Sequence, residues 1–352
     1  MKIAIIGVGI YGAYIADKLS KNKKYIIDLY EKEKEILTST AKKNQYRLHI
    51  GYHYPRSKKT ILQTINGYKI FKKEFKKFLY FPKKNYYLVH KNSLINFEKY
   101  LKIYKNFNLK FKRTNNQKLS EYIYQNQIEG CVNTEEGVIL INKLIPHLRK
   151  RLKGKTKIYT GLKIDKINNL KGLIYYGDKK PKKYDIIINS TYENPNLGLK
   201  KKKFQLKYEL TGMVKIKKPF KDQVGLTIMD GLYCSLYPQD KKFSTISSVK
   251  FTPIFKTNNF NKLNDKIKKL NKEKIKKNII SHASKFIKIY NKKIKSELIL
   301  SHKVKLKEDK NDIRTSSIII ENKLISILCG KIDAVPIIYK KINQFIRKKN
   351  HY

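Results

Sequence analysis

Runs of apolar residues and their spacing divide the chain before any single residue is weighed. Residues 2–6 form a short β-branched apolar run, and residues 13–19 continue with apolar positions at helical spacing. A second apolar run at 25–30 ends in Glu31, so the opening reads strand, turn, helix, strand. Ile61, Ile65, Tyr68, Phe71, Phe75 and Phe78 recur at the 3.6-residue period and predict a helix over 58–79. Strands are expected at 86–90 and 131–141, with helices at 94–104 and 142–152. Short strands follow at 157–159, 162–167 and 173–176. Residues 184–189 read YDIIIN, a continuous apolar run of the kind buried on both faces in a parallel sheet. Longer runs rich in β-branched and aromatic residues at 206–217, 224–237 and 243–251 predict a mixed or antiparallel sheet. Residues 258–293 are Lys/Asn-rich with a helical period. Runs at 316–320 and 323–328 pair around Glu321-Asn322, and a helix over about 335–347 closes the chain.

This order predicts an α/β fold with a Rossmann-like parallel sheet. No Pro/Gly/Ser-rich linker divides it, so a second, mixed or antiparallel sheet is interwoven with the first. Residues 1–80, 130–200 and 310–352 are assigned to a nucleotide-binding domain, and 81–129 and 201–309 to a substrate domain. With 352 residues the chain has room for one large or two ordinary domains. No apolar run approaches the length of a membrane span. The first strand begins at residue 2, which leaves no room for a targeting peptide. Cys131, Cys234 and Cys329 are scattered, form neither a disulfide framework nor a metal site, and fit a cytoplasmic protein.

The net charge of +53 changes the picture least. Only seven of the 80 basic residues are Arg, and Asn, Ile and Tyr are also abundant. That is the bias of an AT-rich coding sequence, and the lysines are spread rather than blocked. The charge therefore reads as compositional drift, not as a specific nucleic-acid interface. Its field still attracts anionic small molecules.

Candidate chemistry begins at Gly7, Gly9 and Gly12, the spacing G-x-G-x-x-G. Gly7 permits a tight turn, Gly9 lets a pyrophosphate approach the backbone, and Gly12 allows close packing of helix on strand. The helix N-terminus offers N–H groups and a partial positive charge. Glu31, at the end of the second strand, suits the ribose hydroxyls. The stretch specifies an adenine dinucleotide, and NAD and FAD both satisfy it.

Further segments extend this reading. The run Arg47-Leu48-His49-Ile50-Gly51-Tyr52-His53-Tyr54-Pro55 resembles the H-x-G-x-x-Y segment of the L-2-hydroxyglutarate oxidase branch of the D-amino-acid-oxidase-like superfamily, which also contains glycine oxidase. The run Glu136-Gly137-Val138-Ile139 with its following helix, the strand near Leu162, and the run YDIIINST resemble later FAD-domain segments of that superfamily. Gly330-Lys331-Ile332-Asp333 before the last helix resembles its closing flavin contact. Tyr192 stands where relatives usually have Gly. The resemblance implies FAD rather than NAD, because the nucleotide-contacting segments return along the chain. It implies cofactor contacts from Gly7, Gly9, Ile10, Tyr11, Gly12, Glu31, Arg47, Leu162, Gly330, Lys331 and Ile332.

It also implies an FAD-dependent oxidoreductase that takes a hydride from a C–N or C–OH carbon of a small anionic metabolite. His49 is then a candidate base and Arg314 a candidate carboxylate clamp, since a guanidinium matches two carboxylate oxygens. His53, Tyr233 and Tyr237 are candidates for the substrate side. His49 and His53 have no third ligand nearby that would suggest a metal. A UDP-galactopyranose-mutase-like sugar-nucleotide enzyme is the alternative, because it shares the opening fingerprint.

Overall fold

Ile3, Ala4 and Ile5 are sealed from solvent on both faces of their strand, and the cause is visible in what lies on either side. The strand Lys2–Ile6 pairs in parallel with Ile26–Tyr30 on one edge and Ile186–Asn189 on the other. Ile3 and Ile5 point to one core, against the helices Ile10–Leu19, Ile141–Leu152 and Val335–Lys349. Ala4 and Ile6 point to the other, against Ile167, Ile174 and Tyr184. Alternation within five residues thus builds a three-layer unit of helices, sheet and a small antiparallel sheet. The structure, a computed structural model, describes residues 1–289, 295–307 and 315–349.

The central sheet has six strands, in the order Ser317–Glu321, Leu324–Leu328, Ile186–Asn189, Lys2–Ile6, Ile26–Tyr30 and Lys157–Tyr159. All neighbours are parallel except the hairpin Ser317–Glu321/Leu324–Leu328. A second, nine-stranded sheet is mixed. Its longest strand, Leu206–Lys217, pairs antiparallel with Ser296–Leu306 along one edge and with Phe243–Ser248 and Pro253–Thr257 along the other. Val224–Met229 runs parallel to Lys84–His90. Helix Lys272–Ala283 covers one face, where Ile279 and Ala283 meet Val214, Leu236 and Ile246. Among the described residues no helix is long and apolar enough to cross a membrane.

Several predicted elements are divided or shortened. The run 224–237 is a hairpin, Val224–Met229 and Cys234–Pro238, because Gly231 at φ +150° turns the chain between them. The run 131–141 is two strands in different sheets, Ile128–Asn133 and Gly137–Ile139. They separate where Glu136 buries its carboxylate. The helix placed at 94–104 begins at Phe97, since the Asn96 side chain caps it by accepting the Lys99 N–H at 2.9 Å. Within 258–293 the described residues, up to 289, give two helices, Asn261–Lys268 and Lys272–Ala283, the second capped by Asn271. Of the run 162–167 only the far end joins a strand, Lys166–Asn168, because Leu162 spends its N–H on the Glu31 carbonyl instead.

Candidate active site

The glycine turn is shaped by contacts rather than by flexibility. Gly7 has φ +84°, and a Cβ there would meet Thr191 Cα at 2.8 Å. A Cβ on Gly12 would lie 2.1 Å from the Gly7 carbonyl oxygen, so helix Ile10–Leu19 packs directly on the strand end. Gly9 is the opposite case, since a Cβ there would have no heavy atom within 4 Å. The open space at Gly9 faces a groove that Gly7, Glu31, Thr40, Leu162 and Thr191 also line. Glu31 is buried beside it. Its Oε2 accepts the Val8 N–H at 2.8 Å and its Oε1 the Glu33 N–H at 3.1 Å, which leaves lone pairs for ribose hydroxyls. Leu162 joins the groove because its N–H donates to the Glu31 carbonyl at 2.9 Å. These features fit an adenine dinucleotide: an open cradle at a helix N-terminus, and a buried carboxylate at the end of the second strand.

Half-buried Ile10 opens the helix, and Tyr11 ties it to the far end of the chain. The Tyr11 hydroxyl lies 2.5 Å from Ser316 Oγ and 2.5 Å from the Lys331 carbonyl oxygen. Ser316 Oγ in turn accepts the Gly330 N–H at 2.9 Å. The segment Gly330, Lys331, Ile332 is therefore fixed against the first helix, 320 residues apart in sequence but one hydroxyl apart in space.

A polar cluster sits where the histidine run meets the two sheets. Strand Arg47–Leu48 pairs with Gly137–Ile139. Arg47 is only 6% exposed, yet no carboxylate forms an ion pair with it among the described residues. Its Nη1 donates to Thr227 Oγ1 at 2.8 Å and its guanidinium carbon lies 3.9 Å from the Tyr237 ring centre, while Nε and Nη2 make no hydrogen bond. His49 Nδ1 lies 3.4 Å from Glu136 Oε2. The rings of His49, His53 and Tyr54 are mutual neighbours at 5.1–5.6 Å, and Lys331 Nζ lies 3.8 Å from the Tyr54 ring centre.

Burial dominates the electrostatics. Burial, reinforced by the Lys331 charge, pushes His49 down to about 4. Burial and the neighbouring His49 and Arg47 hold His53 well below the usual histidine range. Both rings are therefore neutral at neutral pH. Burial alone would raise Glu136, but the adjoining His49 ring, the Tyr87 hydroxyl at 2.5 Å and the Ile50 N–H at 2.8 Å bring it below its ordinary value. Asp333, with neither carboxyl oxygen hydrogen-bonded, is pushed up to about 6 by burial, against the pull of Lys331.

The structure brings Arg47, His49, His53, Tyr237 and Lys331 together. Tyr237 is fully buried beneath Arg47 and donates its hydroxyl to the Gly137 carbonyl at 3.3 Å. Tyr233 lies apart, its ring stacked on His90 at 4.4 Å. Arg314 falls outside the described residues. Tyr192 adopts φ +57° and sets its ring 5.6 Å from His302, so an aromatic wall stands in the groove where glycine would leave space. Cys329 is buried and its thiol is raised by burial. Glu136, Tyr87, Thr227 and Asp333 were not legible as site residues. Single polar residues beside strands carry no spacing signal.

No family model matches the chain. An FAD-dependent monooxygenase, FPY4 of Fusarium mangiferae, is 27% identical over 261 residues, which are 72% of this chain. The match spans 66% of that relative's length, just under two thirds. Among solved structures, glycine oxidase from Geobacillus kaustophilus superposes with a TM-score of 0.75 at 11% identity, covering 98% of this chain and 94% of its own. The L-α-glycerophosphate oxidase of Mycoplasma pneumoniae, solved with FAD bound, superposes at 0.67 with 16% identity, covering 96% and 92%. The chain has the fold of these D-amino-acid-oxidase-like FAD-dependent oxidoreductases.

Proposed function

We propose that this chain is an FAD-dependent oxidoreductase that oxidises a C–N or C–OH bond of a small anionic metabolite. The observation that carries the anionic substrate is Arg47, a buried guanidinium whose Nε and Nη2 make no hydrogen bond and which no carboxylate among the described residues pairs with. A buried, unpaired charge is expensive, and an incoming anion removes that expense while taking two charge-assisted hydrogen bonds. The fold and the glycine cradle support FAD as the cofactor.

The six-stranded sheet would carry the cofactor and the nine-stranded sheet the substrate side. Gly7, Gly9 and Gly12 with the N-terminus of helix Ile10–Leu19 would hold the pyrophosphate, and Glu31 the ribose. Gly330, Lys331 and Ile332 would meet the ring system from the closing segment. Bound there, FAD supplies the hydride acceptor that no side chain can provide. Arg47 orients the substrate through its anionic group. His49, neutral and adjacent, takes the proton from the substrate hydroxyl or amine. The fully buried Tyr87 and Tyr237, with partly buried His53, keep water from competing for the reacting groups.

The test is anaerobic bleaching of the flavin band by a panel of small 2-hydroxy and 2-amino acids, with uncharged esters of the same compounds as controls. Bleaching by the acids and not by the esters supports the reading. Bleaching by neither, or by both equally, removes the anionic substrate. Oxygen-18 incorporation into product would move the chain toward the monooxygenase chemistry named for its curated relative.

A further inference from the structure

We propose that Glu136 is a positioning residue that holds His49 as its Nδ1–H tautomer and so leaves Nε2 as the basic nitrogen. The inference rests on the reading of His49 as the base, and it concerns what sets that ring's hydrogen. Glu136 is fully buried and its place is fixed from several sides. Its Oε1 accepts the Ile50 N–H at 2.8 Å, and its Oε2 accepts the Tyr87 hydroxyl at 2.5 Å. Asn85 Nδ2 donates to the Glu136 carbonyl at 3.3 Å and to Thr134 Oγ1 at 3.2 Å, which pins the turn that carries it.

An ionised carboxylate only accepts, so every group around it must be a donor. The Ile50 amide and the Tyr87 phenol already are. Burial raises the Tyr87 phenol far above neutrality, so it keeps its proton. The third neighbour is His49 Nδ1, which makes no hydrogen bond but lies 3.4 Å from Oε2, well inside electrostatic reach. A lone pair at Nδ1 would face the carboxylate with like charge, whereas an N–H there is attracted to it. The cations that face the ring, Lys331 and Arg47, disfavour the doubly protonated form, and His53 and Tyr54 close the remaining sides without an acid. One neutral tautomer remains, with its lone pair on Nε2.

The consequence for chemistry is local. When a substrate O–H breaks, its electron pair stays on oxygen and the proton passes to Nε2. The imidazolium so formed lies beside Glu136. An anion on Arg47 would offset one of the two charges that oppose it, so binding of substrate and basicity of His49 are coupled.

The experiment reads the tautomer directly. The full chain, labelled with 15N-histidine and carrying the flavin it is purified with, is examined by two-bond 1H–15N correlation, and the His49 signals are assigned by their loss in His49→Gln. Wild type is expected to show the Nδ1–H pattern. In Glu136→Gln the backbone N–H of Ile50 cannot turn, so the amide oxygen stays on it and the NH2 faces His49; the ring is expected to change to Nε2–H. An Nε2–H pattern in wild type overturns the proposal, as does an unchanged Nδ1–H pattern in Glu136→Gln that melts normally. If that variant does not fold, the wild-type pattern alone decides. Tyr87→Phe is expected to leave the tautomer unchanged. No substrate is needed, so failure of the bleaching test and failure of this one are separate events.

Discussion

The guanidinium carbon of Arg47 lies over the Tyr237 ring, 3.9 Å from its centre, in a place almost closed to water. The cation–π contact holds the guanidinium over the ring, and Thr227 holds one nitrogen. The other two donors are thereby kept in a fixed direction for a ligand. Arg47→Met removes them without emptying the site. We expect this variant to retain its flavin and to lose about 1.5–3 kcal/mol of binding for an acid that bleaches the wild type, roughly 10- to 100-fold in KM. Steady-state kinetics with that acid checks it. An unchanged KM would take Arg47 out of substrate binding.

Gly9, just before the first helix, and Gly12, within it, have separable roles. Gly12→Ala drives a methyl into the Gly7 carbonyl, so helix and strand must part. We expect a loss of about 1–3 kcal/mol in stability, seen as a lowered Tm even without cofactor. Gly9→Val places its side chain in open space. That variant is expected to fold with an unchanged apoprotein Tm but to lose bound flavin. Full flavin occupancy in Gly9→Val would contradict the placement of the pyrophosphate.

Asp333 makes stability depend on pH with a definite sign. Burial raises its carboxyl from the ordinary 3.8 to about 6, so the folded state favours the protonated form. The favourable state is fully present below the unfolded value near 3.8 and is lost as pH rises through about 6. The difference corresponds to about 3 kcal/mol. Asp333→Asn removes the ionisation, so it should raise Tm at pH 8 and leave it nearly unchanged at pH 4. Equal effects at both pH values would show that Asp333 is not buried as an acid.

The opening unit was legible because strand, glycine turn and helix are local: Ile3 and Ile5 against Ala4 and Ile6 specify both faces of one strand. The positions of Gly9 and Glu31 followed from the same local pattern. The Arg47 site was not legible in that way. Arg47, Thr227 and Tyr237 are brought together by pairing between distant strands, and nothing in the run around Arg47 indicates that no carboxylate among the described residues pairs with it. Glu136 shows the same limit. Its neighbours Ile50 and Tyr87 become contacts only when a predicted single strand breaks into two strands of different sheets.

The most direct measurement is the absorption spectrum of the purified protein, followed by identification of what it releases on denaturation. We expect a yellow protein with a flavin band and FAD released in a one-to-one ratio. A colourless protein that takes up no FAD and binds NAD at the same glycine turn would contradict the reading at its centre.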